Sequence, residues 1–162
     1  MTAEQGQPVP DATGEVAVVM TPIPRAGFVA ALCGLHKVRG QVLETSGGPI
    51  VVLDDASETA AVQSVRALSG FLKGAPFLLA LARDGQVQMQ EWRGGALTSR
   101  PAPGIALADS PGVVTTLLSG TQTIDQVAQT HQDKVRSTSM SRFAAYRALL
   151  KETKELKKEG RA

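Results

Sequence analysis

From Pro49 to Trp92 the apolar and polar positions change period three times, and the rest of the chain is arranged around that stretch. Ile50–Leu53 is a continuous apolar run between Gly47-Gly48-Pro49 and Asp54-Asp55, the pattern of a strand buried on both faces. Asp55 followed three residues later by Glu58 predicts a helix start of the capping-box type. Ala61, Val62, Val65, Leu68 and Leu72 then recur at spacings of three and four, with Thr59, Gln63, Arg66 and Lys73 off that stripe. Gly74 and Pro76 stop the helix. Phe77–Ala82 is again apolar throughout. Asp84-Gly85 predicts a two-residue type I′ hairpin turn, which needs positive φ at both positions. In the return strand Val87 and Met89 alternate with Gln86, Gln88 and Gln90, so one face is expected to be wet.

Upstream, Glu15–Thr21 reads as a strand ended by Pro22 and Pro24, Arg25–Leu35 as an amphipathic helix, and Val38–Thr45 as a strand turned back by Ser46-Gly47-Gly48. Downstream, Gly94-Gly95 turns the chain into a strand at Ala96–Arg100. Pro101 and Pro103 interrupt it, and Gly104–Ala108 (GIALA) fits a final short strand. Asp109 or Ser110, with Pro111, starts a helix through Val113, Val114, Leu117 and Leu118 that Gly120 ends. Thr121 or Thr123 caps a short helix holding Ile124, Val127 and Ala128. His131–Ser139 is polar and reads as a loop. A last helix, about Ser141–Glu159, puts Phe143, Tyr146, Leu149 and Leu150 near one face for docking and then becomes almost wholly charged. The order is that of an α+β fold, an antiparallel sheet with helices packed on it. The body spans 15–120, with a leader at 1–14 read as disordered and a basic helical extension at 121–162.

Composition narrows the function. A chain of 162 residues buries enough surface to need no staples, and its single cysteine, Cys33, makes no internal disulfide. No run approaches the ~20 apolar residues of a membrane-spanning helix. The first fifteen residues carry Glu4, Asp11 and Glu15 and no basic residue, the opposite of a signal-peptide start, so a cytoplasmic protein is expected. The net charge of +2 hides an asymmetry: residues 1–130 carry 8 basic and 11 acidic side chains, residues 131–162 carry 9 and 4. A basic tail is either a solvated helix face or a contact for something acidic.

VRGQVLETSGGPIVV, a long alanine-rich helix, FLLALARDGQVQMQEW and GIALADSPGVVTTLL together resemble the roadblock / dynein light chain family over about Phe28–Ser119. The likeness is of pattern and turn placement. It implies a roadblock/longin-like sandwich and regulation without catalysis, by a homodimer that binds a Ras-like GTPase or acts as a scaffold. The strand at Glu15–Thr21 has no slot in that family. If it is integral, the order β-α-β-β-α-β fits a ferredoxin-like sandwich ending near Ala82.

The sequence holds no phosphate-binding glycine loop, no dinucleotide fingerprint and no Cys/His spacing for zinc. Asp54-Asp55 is an adjacent carboxylate pair at a strand end, but neighbours there point apart and Asp55 has a capping role to fill. Cys33 falls on an apolar stripe, and His36 and His131 belong to separate segments, so no nucleophile or metal set assembles. With aromatics at 4% of the chain, a base-stacking sheet is poorly supplied. No catalytic, cofactor or metal residue is assigned. Two surfaces remain: Gln86, Gln88, Gln90 and Trp92 on the hairpin as a partner interface, and Arg147, Lys151, Lys154, Lys157 and Lys158 as contacts for an acidic partner. The expectation is a regulatory or scaffolding protein acting through protein–protein contacts. The alternative is a nucleic-acid-associated protein held by its basic helix.

Overall fold

Turn chemistry lays out the sheet. Asp84 (φ 51°) and Gly85 (φ 77°) both take positive φ, and the strands they join pair in register from Phe77↔Trp92 to Arg83↔Gln86. Gly94 (φ 56°) and Gly95 (φ 82°) make the next hairpin. The computed structural model describes residues 15–161, with side chains as far as Lys154. The leader at 1–14 and the side chains of Lys157 and Lys158 lie outside the described residues.

The elements in chain order are β1 (Val16–Met20), α1 (Ala26–Leu35), β2 (Gly40–Leu43), β3 (Ile50–Leu53), α2 (Glu58–Phe71), β4 (Phe77–Arg83), β5 (Gln86–Arg93) and β6 (Ala96–Ser99). There follow α3 (Pro103–Ala108), α4 (Gly112–Ser119), α5 (Ile124–Thr130), a 3₁₀ turn at Gln132–Lys134, β7 (Val135–Ser137) and α6 (Arg142–Arg161). The fold is α+β. One seven-stranded sheet runs β6-β5-β4-β1-β3-β2-β7, and every neighbouring pair is antiparallel. The strand expected at Glu15–Thr21 is integral and central: Val18 stands beside Val52 of β3 on one side and Ala80 of β4 on the other. The run from β1 to β4 has the strand order β4-β1-β3-β2, two interlocked split βαβ units.

Strand alternation sorts the core into two layers. Ala17, Val19, Val42, Val51, Leu53, Leu79 and Trp92 face α1 and α2. Val18, Ile50, Val52, Ala80 and Met89 face α4 and α5, through Val114, Leu117, Leu118 and Val127. β3 is buried at all four positions, as its unbroken apolar run predicts. The α2 stripe buries Ala61, Val65 and Leu68, while Gln63 and Lys73 are exposed. Its cap differs from expectation. Ser57 is the N-cap, its hydroxyl accepting from the Ala60 N–H, and Asp55 stands one turn earlier, accepting from the Ser57 N–H. An Asp tightens such a turn as readily as it caps a helix.

Three further expectations are corrected. Gly104–Ala108 is helical, with Pro103 in the first turn where its missing N–H costs nothing. The loop at His131–Ser139 contains β7, which extends the sheet beyond β2. Thr138 fixes that edge: its buried hydroxyl donates to the Val38 carbonyl at 2.7 Å and accepts from the Gly40 N–H at 2.9 Å. And α1 is not amphipathic, since Ala26, Phe28, Val29, Ala30, Ala31, Leu32, Cys33 and Gly34 are all buried. The sheet covers one side of α1 and α6 the other.

Small residues let α6 come close. A Cβ added at Gly34 would lie 2.5 Å from Met140 Cγ and 3.1 Å from Ala145 Cβ, and one at Gly27 would strike the Glu152 carboxylate. Glu152 is held there by Arg25, Nε to Oε1 at 2.8 Å. The chain beyond Gly120 thus supplies a sheet strand and the outer cover of α1.

Three substitutions test this packing by chemical denaturation. Gly34→Val should cost about 1–3 kcal/mol, because no side chain fits under α6, whereas Gly104→Ala, with nothing within 4 Å, should be tolerated. Thr138→Val should cost about 1–3 kcal/mol, since it strands the Gly40 N–H and the Val38 carbonyl inside the protein.

Candidate interaction surface

Helical periodicity decides which side of α6 is free. Ala145 and Leu149 are buried and Ala148 and Glu152 half-buried, so the inner face repeats at spacings of three and four. The outer face is then set by exclusion. It carries Phe143 (70% exposed), Tyr146 (53%) and Leu150 (50%). Sequence spacing had grouped Leu149 with these three for docking. The structure separates them: Leu149 lies on the buried side with Ala145, which stands against Gly34 of α1. The signal is present in the chain as Gly27 and Gly34, seven residues apart, which face Glu152 and Ala145.

Three of the basic residues expected to meet an acidic partner are on the same outer side. Arg147, Lys151 and Lys154 are exposed, and no carboxylate among the described residues pairs with them. Arg147 lies over the Phe143 ring, 5.7 Å from its centroid. Glu152 is turned inward to Arg25. The surface that results carries three apolar side chains and three cations with which no carboxylate among the described residues pairs.

The hairpin interface divides. Gln86 and Gln88 are exposed, but Gln90 (2% exposed) and Trp92 (4%) are buried. Gln90 Oε1 accepts from Trp92 Nε1 at 2.9 Å, and the Arg66 guanidinium sits 5.5 Å from the Trp92 ring centre. Alternation gives the face on which a side chain stands; α2 decides that the second half of this face is covered. Gln90 and Trp92 offer nothing to a partner.

The residues weighed for chemistry do not converge. Asp54 and Asp55 are both exposed on the wall of a groove of about 480 Å³ between the end of α1 and the start of α2. Lys37 and Arg39 stand across from them, so the groove carries both signs. The hydrogen bonds from Ser57 hold the Asp55 carboxyl below its ordinary range. His36 is also at this groove, its ring edge-on to Phe71 at 6.3 Å, and burial followed by the charge of Arg142 lowers its pKa. His131 is elsewhere, against the Thr130 hydroxyl at 2.9 Å. Cys33 is wholly buried, and that burial pushes its thiol up to about 12. Among the described residues no three of His, Cys, Asp and Glu come together to hold a metal ion, and no helix is long and apolar enough to cross a membrane.

Two outcomes follow. Cys33 should resist a thiol reagent at neutral pH in the native protein and react at once in denaturant, because the reactive species is the thiolate. His36 has a folded pKa below its unfolded value, so the unfolded chain takes up its proton first. The contribution is nil at high pH, and stability falls as pH drops below about 6.5. His36→Gln should flatten that part of the stability–pH curve, read from denaturation midpoints.

Compared with known proteins, the chain matches no family model, no curated protein and no solved structure.

Proposed function

We propose that this protein is a non-catalytic interaction module of the regulatory or scaffolding kind, and that the outer face of α6 is its working surface. The observation that carries this is the outer face of α6: Ala145 and Leu149 are buried, and Phe143, Tyr146 and Leu150 stand in water beside Arg147, Lys151 and Lys154, with which no carboxylate among the described residues pairs. Leaving three large apolar side chains exposed in one line is what an interaction site looks like, whereas apolar residues scattered singly need no explanation. Aromatic and arginine side chains are also those that dominate protein interfaces.

We read the core as a ferredoxin-like sandwich extended by β5, β6 and β7. What supports this over a roadblock/longin-like sandwich is the central place of β1, the strand for which the roadblock resemblance has no slot. The homodimer and the Ras-like GTPase partner belong to that resemblance, and the α6 surface requires neither.

A photo-crosslinking residue placed at Leu150 should trap a protein in the source cell, and one at the buried Leu149 should not. Equal yields at both positions, or none at Leu150, would contradict the reading. The nucleic-acid alternative draws on the same cations. If four of the tail's basic residues met phosphates, duplex DNA affinity would fall with salt at a log–log slope of about −3.6. No such binding at physiological salt is expected.

A further inference from the structure

The interaction reading leaves the partner's chemistry open, and three features of α6 narrow it. The first is charge. Arg147, Lys151 and Lys154 face out with no carboxylate among the described residues to pair with them. Two copies of this face would bring like charges together, which disfavours a symmetric α6–α6 dimer and favours an acidic occupant.

The second feature is the position of the cations within the apolar line. Arg147 follows Phe143 by four residues, and Lys154 follows Leu150 by four. Residues four apart lie one above the other on a helix, so these cations stand in line with the apolar anchors. A helix that settles on a lipid surface keeps its charges on the side away from the acyl chains. Sinking this line into a bilayer would bury Arg147 and Lys154 with it. A protein surface can place a carboxylate against each.

The third is the state of the rings. The Phe143 ring carries the Arg147 guanidinium on its face, and Leu150 has no ring to offer. Stacking of nucleic-acid bases would rest on Tyr146 alone, where a single-strand platform wants several open rings. By contrast Phe143, Tyr146, Arg147 and Leu150 occupy the i, i+3, i+4 and i+7 positions by which a helix reads a protein groove.

We propose that the outer face of α6 docks an acidic amphipathic protein segment, its aliphatic side chains meeting Phe143, Tyr146 and Leu150 and its carboxylates meeting Arg147, Lys151 and Lys154. The inference rests on the interaction reading above and adds the partner's chemistry to it.

The test uses the full chain and a fluorescent synthetic helix with leucines at i, i+3, i+4 and i+7 and glutamates elsewhere. A copy with lysine in place of glutamate, oligo(dT), and phosphatidylserine–phosphatidylcholine vesicles serve as the other probes. The acidic peptide should bind, more weakly as salt rises, and the lysine copy should not. Phe143→Ala with Leu150→Ala, and separately Lys151→Glu with Lys154→Glu, should each weaken binding on the order of tenfold or more. Both double variants alter exposed positions, and an unchanged denaturation midpoint verifies that each is folded. Binding of oligo(dT) or vesicles in place of the acidic peptide overturns the proposal, as does peptide binding that survives either double variant. If a crosslinker at Leu150 traps a protein in the cell while the acidic peptide fails, the partner chemistry is wrong and the interaction surface stands. If it traps none, both fall.

Discussion

The close approach of α6 to α1 is the constraint on which the outer half of this protein depends. Gly27 and Gly34 remove the side chains that would hold the helices apart, and Arg25 fixes the register by taking Glu152. With α6 in place, α1 is covered on both sides and needs no polar face, which is why apolar residues occur all round it. A helix with glycines at two positions is a poor helix on its own, each costing about 1 kcal/mol relative to alanine. Here both are spent on packing. The same contact fixes the candidate surface, because turning Ala145, Leu149 and Glu152 toward the body leaves Phe143, Tyr146 and Leu150 pointing outward.

β1 plays the corresponding part in the sheet. Placed between β3 and β4, it joins the β2–β3 hairpin to the β4–β5–β6 meander, and its Val18 and Val19 face opposite cores. Without it no strand of one half would pair with a strand of the other. The seventh strand is a lesser version of the same device. β7 is three residues long, and the two hydrogen bonds of Thr138 lock the chain beside β2 before it enters α6. The segment after Gly120 is thereby tied to the body at the sheet edge and again on α1.

What was legible in the sequence was local. Asp84-Gly85, the β3 run and the α2 stripe announce themselves through turn chemistry and period, and each is present within a residue or two. GIALA was misread because five small and aliphatic residues fit a strand or a helix equally well, and only Pro103 at the helix start distinguishes them. β7 was missed because a three-residue edge strand is fixed by a partner nearly a hundred residues away, not by its own pattern. Alternation gives the hairpin a polar face but does not say what lies above it, and there Gln90 and Trp92 are covered. For α6, the apolar count was right and the direction wrong. Choosing the inner face required knowing that α1 offers glycine.

The orientation of α6 is the point on which both the packing and the function turn. Hydroxyl-radical footprinting of the intact protein, read by mass spectrometry at each residue of 143–150, measures it directly. The packing described here predicts rapid labelling at Phe143, Tyr146 and Leu150 and strong protection at Leu149. Protection of Phe143 and Tyr146 with labelling of Leu149 would mean that α6 packs by its other face, and the proposed surface would not exist.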